Sequence, residues 1–185
     1  QPKEIVVARL GKGATIVQFL DWSADKVTVA LGRNRQARIP PSRILATTGF
    51  YASSQKEVEE FQSNSVDISK EIDLENAWKA LGGSNAVSLA WLAEVCWGHS
   101  PSPQELAALA IHLDQNPTYF ANSPEGYTPR TKNTVQKILE RRTRKEEKTQ
   151  AAKSLVDALS QGKLPNPLSS DHEQFLDQLR NYAIH

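Results

Sequence analysis

The chain has 185 residues, 39% of them hydrophobic, and a formal net charge of +1. That suits one or two small domains with modest cores, and the overall charge argues neither for nor against nucleic acid. Cys96 is the only cysteine, which excludes an internal disulfide and a cysteine-built zinc cluster and fits a reducing, cytoplasmic setting.

Charge is unevenly distributed: net +5 over residues 1–50, −5 over 51–100, +2 over 101–150 and −1 over 151–185. A basic segment beside an acidic one predicts distinct modules. No run of about 18 apolar residues is present, so no transmembrane helix is expected. The first residues, QPKEIVVARLGKG, lack the apolar stretch of a signal peptide. The chain holds no Met and starts at Gln1, which reads as a piece of a longer polypeptide.

Residues 4–48 read as all-β. EIVVARL (Glu4–Leu10), ATIVQFLDW (Ala14–Trp22), VTVAL (Val27–Leu31) and ARI (Ala37–Ile39) are predicted strands separated by Gly- and Asn-rich turns. Pro40-Pro41 ends the fourth, because proline cannot donate to a ladder. A single 3₁₀ turn at Ser42–Leu45 and a last short strand complete the set. Five short strands in so few residues predict a small SH3-like β-barrel over residues 1–50.

After Gly49 the pattern becomes helical. Ser53 or Ser54 caps QKEVEEFQSN; Asp73 caps LENAWKAL, which Gly82-Gly83 stops; Ser84 or Ser88 opens SLAWLAEVCW, which Gly98 stops. Ser102-Pro103-Gln104-Glu105 is a capping box that begins PQELAALAIHLD. YFANSPEGYTPRT (Tyr119–Thr131) then reads as a hairpin. Helices followed by a capped helix and a hairpin have the order of a winged-helix, helix-turn-helix-like domain over residues 51–130. Residues 131–185 read as a long polar helix, KNTVQKILERRTRKEEKTQAAKSLVDAL, and a last helix capped by Ser170. The fold class is therefore α+β: an SH3-like barrel, a winged-helix domain and C-terminal helices.

Catalytic patterns are missing. His99, His112, His172 and His185 have no partner at ligand spacing and read as surface or capping residues. Cys96, between Val95 and Trp97, reads as a small core residue. Glu57, Glu59 and Glu60 read as a solvated helix face. No Asp cluster suits two magnesium ions, and GKG at 11–13 is no phosphate loop. Trp78, Trp91 and Trp97 read as core anchors, and Trp22 as either core or surface.

Nucleic-acid binding has three candidate features. Lys12, Arg33, Arg35, Arg38 and Arg43 are concentrated on the predicted barrel's loops and one edge. The helix in the recognition position, residues 103–114, carries no Lys or Arg, which weakens base reading in a DNA groove. The hairpin and its sequel bring Tyr119, Phe120 and Tyr127 beside Arg130, Lys132, Lys137, Arg141, Arg142, Arg144 and Lys145. Aromatic faces among cations suit single-stranded nucleic acid, by stacking and phosphate neutralisation. The alternative is that Tyr119 and Tyr127 pair across the hairpin and cover a core.

Two stretches, VVARLGKGATIVQFLDWSADKVTVALGRNRQARIPPSRI and WLAEVCWGHSPSPQELAALAIHLDQNPTYFANSPEGYTPRT, together resemble the N-terminal region of ribonuclease II/R-type exoribonucleases of the cyanobacterial and plastid branch. The resemblance spans roughly residues 4–145. It implies a parent protein that hydrolyses RNA from the 3′ end with magnesium, in a catalytic domain outside this segment, so it carries no catalytic residue onto this chain. The aromatic RNA-binding strands of cold-shock-type barrels are not evident here.

The expectation is a non-catalytic region that steers single-stranded RNA through Lys12, Arg33, Arg35, Arg38, Arg43, Tyr127, Arg130 and Lys132. No cofactor is expected in the segment, and its partners would be RNA and the rest of the parent chain. A protein-interaction module and a DNA-binding winged-helix regulator are the alternatives.

Overall fold

A computed structural model describes residues 3–11, 13–23, 25–32, 35–83, 85–123, 125–162, 164 and 167–183. The chain forms two compact units, Gln1–Thr131 and Lys132–His185.

In the first unit, β1 (Lys3–Leu10), β2 (Gly13–Ser23), β3 (Lys26–Ala30), β4 (Gln36–Ile39) and β5 (Ile44–Ala52) make one antiparallel sheet in the order β4-β3-β2-β1-β5. The five expected strands are present, but the sheet is open and not the closed barrel expected from sequence. Closure would need β4 to pair with β5. β4 is only four residues long and stops at Pro40-Pro41, and a 3₁₀ turn at Pro41–Arg43 carries the chain straight to the β1 edge. β5, predicted short, runs for nine residues, with irregular register against β1 between Glu4 and Val6 and between Val7 and Ala8.

Side chains alternate across a strand, and here both faces are apolar. Val6, Ala8, Val17, Val27, Val29 and Ile39 form one cluster. On the other face, Ile5, Val7, Ile16, Ala46 and Ala52 pack with Val58 and Phe61 of α1 (Gln55–Ser69) and with Ala107, Ala110 and Ile111 of α4 (Pro103–Gln115). Phe50 stacks on Phe61 with ring centroids 4.9 Å apart.

The α4 helix decides the organisation of this unit. Leu109 and Leu113 turn away from the sheet into a second cluster with Leu74, Ala77 and Leu81 of α2 (Leu74–Leu81), Leu92 and Ala93 of α3 (Leu89–Trp97), and Phe120 and Tyr127. One helix thus feeds two apolar clusters, and sheet and helices through Thr131 fall in one compact unit. Alanine at 107, 108 and 110 permits that close approach.

The helix starts follow local chemistry. Ser54 accepts from the Glu57 N–H, Asp73 from Glu75 and Asn76, and Ser88 from Trp91; Ser102 and Glu105 close a reciprocal capping box. Ser84, the other candidate cap, lies outside the described residues. β6 (Phe120–Ser123) and β7 (Gly126–Pro129) form the hairpin. Tyr127 also bridges to Val87, exchanging two backbone hydrogen bonds of 3.0 and 2.9 Å.

In the second unit, α5 (Lys132–Ser160) and α6 (Ser170–Ala183) pair, and Leu155 is buried. The α6 cap is Ser169, one residue before the expected Ser170: its Oγ accepts from the His172 N–H at 3.3 Å. The His172 imidazole reaches back, accepting at Nδ1 from the Ser169 N–H (3.1 Å), while Nε2 lies 2.7 Å from Ser154 Oγ on α5. This histidine is therefore a capping residue that also ties the two helices together. Among the described residues, no helix is long and apolar enough to cross a membrane.

Candidate nucleic-acid interface

Arg35 lies at the end of the β3–β4 turn, where its N–H donates to Gly32 O (3.0 Å) and its carbonyl accepts from the Leu31 N–H (2.8 Å). Arg38 follows on the edge strand β4, opposite Thr28, and Arg43 ends the 3₁₀ turn. All three are exposed, and among the described residues none is held in an ion pair. Lys12 and Arg33 lie outside the described residues. Lys132 is exposed at the start of α5, in the second unit.

The hairpin residues make contacts within the first unit. Tyr127 is 7% exposed and belongs to the second apolar cluster, so its ring has no free face on which a base could stack. Burial pushes its phenol pKa up, as does the Asp114 carboxylate, while Arg9 opposes them. Arg130 is half-buried and works as a bracket. Its Nε donates to Pro117 O (3.0 Å), its N–H to Tyr119 O (2.8 Å), and its own carbonyl accepts from Trp78 Nε1 (2.7 Å). Tyr119 leans on Trp78 with centroids 5.5 Å apart and donates to Glu75 Oε2 at 3.0 Å. The Lys79 ammonium, and after it that bond, hold the Glu75 carboxyl below its ordinary range. The hairpin is thus the edge of a core.

The recognition-position helix α4 has residues 107–111 and 113 buried and only Gln115 exposed, the rest being partly buried. It offers no face to a DNA groove. The basic run on α5 from Lys137 to Lys145 is exposed and interrupted by Glu140. Trp22 and Tyr51, at 58% and 57% exposure, are surface aromatics, and Trp91, expected in the core, is 44% exposed.

A contact that sequence reasoning missed joins α4 to the β1–β2 hairpin. Asp114, placed just before the end of α4, accepts from Arg9 and from the Ala14 backbone. The sequence signal was only an acid placed where the helix dipole disfavours it. Cys96 is partly buried and its thiol is pushed up to about 11, first by burial and then by Asp73, so it is a poor nucleophile. Among the described residues no group of three or more His, Cys, Asp or Glu side chains converges to hold a metal ion.

No family model, curated protein or solved structure matches the chain.

Proposed function

We propose that this chain is a non-catalytic accessory region of a 3′–5′ exoribonuclease that holds single-stranded RNA by its phosphates along the β4 edge. The observation that carries the reading is Arg35 at the β3–β4 turn, Arg38 on the edge strand β4 and Arg43 in the turn that leaves it, three exposed guanidinium groups without acidic partners among the described residues. A guanidinium offers a rigid fork of donors matched to a phosphate, and each phosphate neutralised releases counterions. The exoribonuclease class comes from the sequence resemblance. The strand order supports an SH3-like topology without closure, and the succession α2, Val87 bridge, α3, α4 and hairpin supports a winged-helix relationship. Burial of α4 counts against a DNA-reading regulator. Tyr127 is buried in the second cluster, which favours phosphate neutralisation over hairpin stacking.

The test is titration of a fluorescently labelled single-stranded RNA at several salt concentrations. Affinity is expected to fall with salt, and each arginine changed to alanine should lower the slope of log K against log salt by about 0.7. Absence of binding at low salt would sink the reading.

A second reading, a protein-interaction module, is favoured by the acidic helix α1, which sets one lysine against four acids, and by the groove beside it.

A further inference from the structure

Neither side of β2 is paired along its whole length. Its register with β1 runs from Gly13 to Gln18, whereas β3 joins it only from Gln18 onward. Over Thr15–Val17 the side where β3 would lie faces α1 instead, and the space left is a groove of about 280 Å³. Its wall is apolar where Val58, Ala30 and Leu31 line it.

The polar groups of the groove have a definite sense. Gln62 Nε2 donates to Ile16 O (2.8 Å), Gln18 Nε2 to Ala52 O (2.9 Å) and Gln55 Nε2 to Glu59 Oε1 (3.1 Å). The Gln62 and Gln18 amides turn an N–H to backbone carbonyls and the Gln55 amide donates along the helix surface, so the three amide oxygens remain to accept. Glu59 is the only charged residue of the lining and has no ion pair among the described residues. Acceptors and a negative charge over an apolar wall suit a cation on an aliphatic stem, whose methylenes lie against Val58 and Leu31 while its head meets Glu59. An RNA phosphate would be repelled there, and the acidic α1 adds to both effects.

We propose that this groove receives a lysine or arginine side chain from a basic peptide segment of a partner protein. The inference rests on the interaction-module reading; the groove adjoins the β3–β4 turn that carries Arg35, so RNA affinity is measured in parallel to separate its failure from that of the RNA reading.

The test follows backbone amide NMR signals of the whole chain during titration with acetyl-Gly-Gly-Arg-Gly-Gly-amide, its lysine counterpart, and the same peptide carrying norleucine or glutamate. The cationic peptides should shift Thr15, Gln55, Glu59 and Gln62, and the other two should not. Glu59→Gln should weaken binding about tenfold, the loss of one charged hydrogen bond. Ala30→Phe, which fills the groove with the charge intact, should block it. Gln55→Phe, at the exposed rim, gives the same steric test without touching the sheet. Equal shifts from the norleucine peptide would overturn the proposal. So would loss of binding in Glu59→Gln with retention in both phenylalanine variants, since that pattern is diffuse attraction to an acidic helix. RNA affinity measured in parallel should not fall in Glu59→Gln.

Discussion

Asp114 accepts two bonds of 2.8 Å through different oxygens, one from Arg9 Nε and one from the Ala14 backbone N–H. Its side chain is 9% exposed, while that of Arg9 is 49% exposed. A carboxylate near a helix C-terminus opposes the helix dipole, and the two donors offset that cost. They also fasten α4 to the β1–β2 hairpin. Asp114→Ala leaves the Ala14 N–H without its acceptor, so it should destabilise by about 1–3 kcal/mol in denaturant unfolding. Arg9→Ala should cost less, because a half-exposed guanidinium is already hydrated and its pairing is correspondingly weak. Equal losses from the two single variants would contradict this division.

Gly126 shows the same dependence on distant chain. Its φ is 127°, and a Cβ there would collide with the backbone carbonyl of Val87, the residue that pairs with Tyr127. Gly126→Ala therefore meets both an unfavourable backbone conformation and an immovable neighbour. It should lose roughly 1–3 kcal/mol and detach the Val87 bridge, read as faster amide exchange at Val87 and Tyr127. Gly49, with φ of 72° and nothing within 4 Å of an added Cβ, is the control. Gly49→Ala should cost only about 1 kcal/mol and leave that bridge protected.

These two contacts mark where the sequence was legible. Caps were readable because their chemistry is local: Ser102 and Glu105 are three residues apart, and so are Ser54 and Glu57. The strands were readable as short apolar runs bounded by turn residues, but that Ile5 and Val7 serve one face and Val6 and Ala8 the other was not, because all four are apolar. Nor was the fate of the ends. Whether β4 meets β5 depends on where one short turn delivers the chain. That α4 lies between two apolar clusters depends on surfaces supplied by residues far away in sequence. The candidate site divided in the same way. Arg35 and Arg38 follow a turn and an edge strand, and their exposure follows with them. Arg130 looked like a phosphate ligand, but its guanidinium and carbonyl hold Pro117 and Trp78, partners 13 and 52 positions away.

His112 on α4 makes stability depend on pH. Burial lowers its pKa, partly opposed by a hydrogen bond with the Ser69 backbone. A histidine whose folded pKa lies below its unfolded value binds a proton more readily when unfolded. Its contribution is therefore complete above the ordinary value of 6.5 and is lost as pH falls through the depressed folded value. Urea midpoints measured from about pH 7 down to pH 5 should decline, and His112→Gln should flatten that limb. An unchanged decline in the variant would assign the acid sensitivity to other groups.

Cys96 provides a test of packing at the end of α3. The thiol sits between Val95 and Trp97, which pack with it against the second cluster, and burial with the nearby Asp73 charge raises its pKa to about 11. Only the thiolate attacks a disulfide reagent, so at about pH 8 the native chain holds on the order of one thiolate in a thousand thiols. Labelling by a disulfide reagent should be slow in the folded chain and fast in denaturant. Asp73→Asn should have little effect on the native rate, because burial is the larger cause. The same substitution keeps a side-chain oxygen to accept from the Glu75 and Asn76 N–H groups at the α2 cap, so it should lower stability by well under about 1 kcal/mol. A large acceleration of labelling without loss of stability would reverse the order of the two causes.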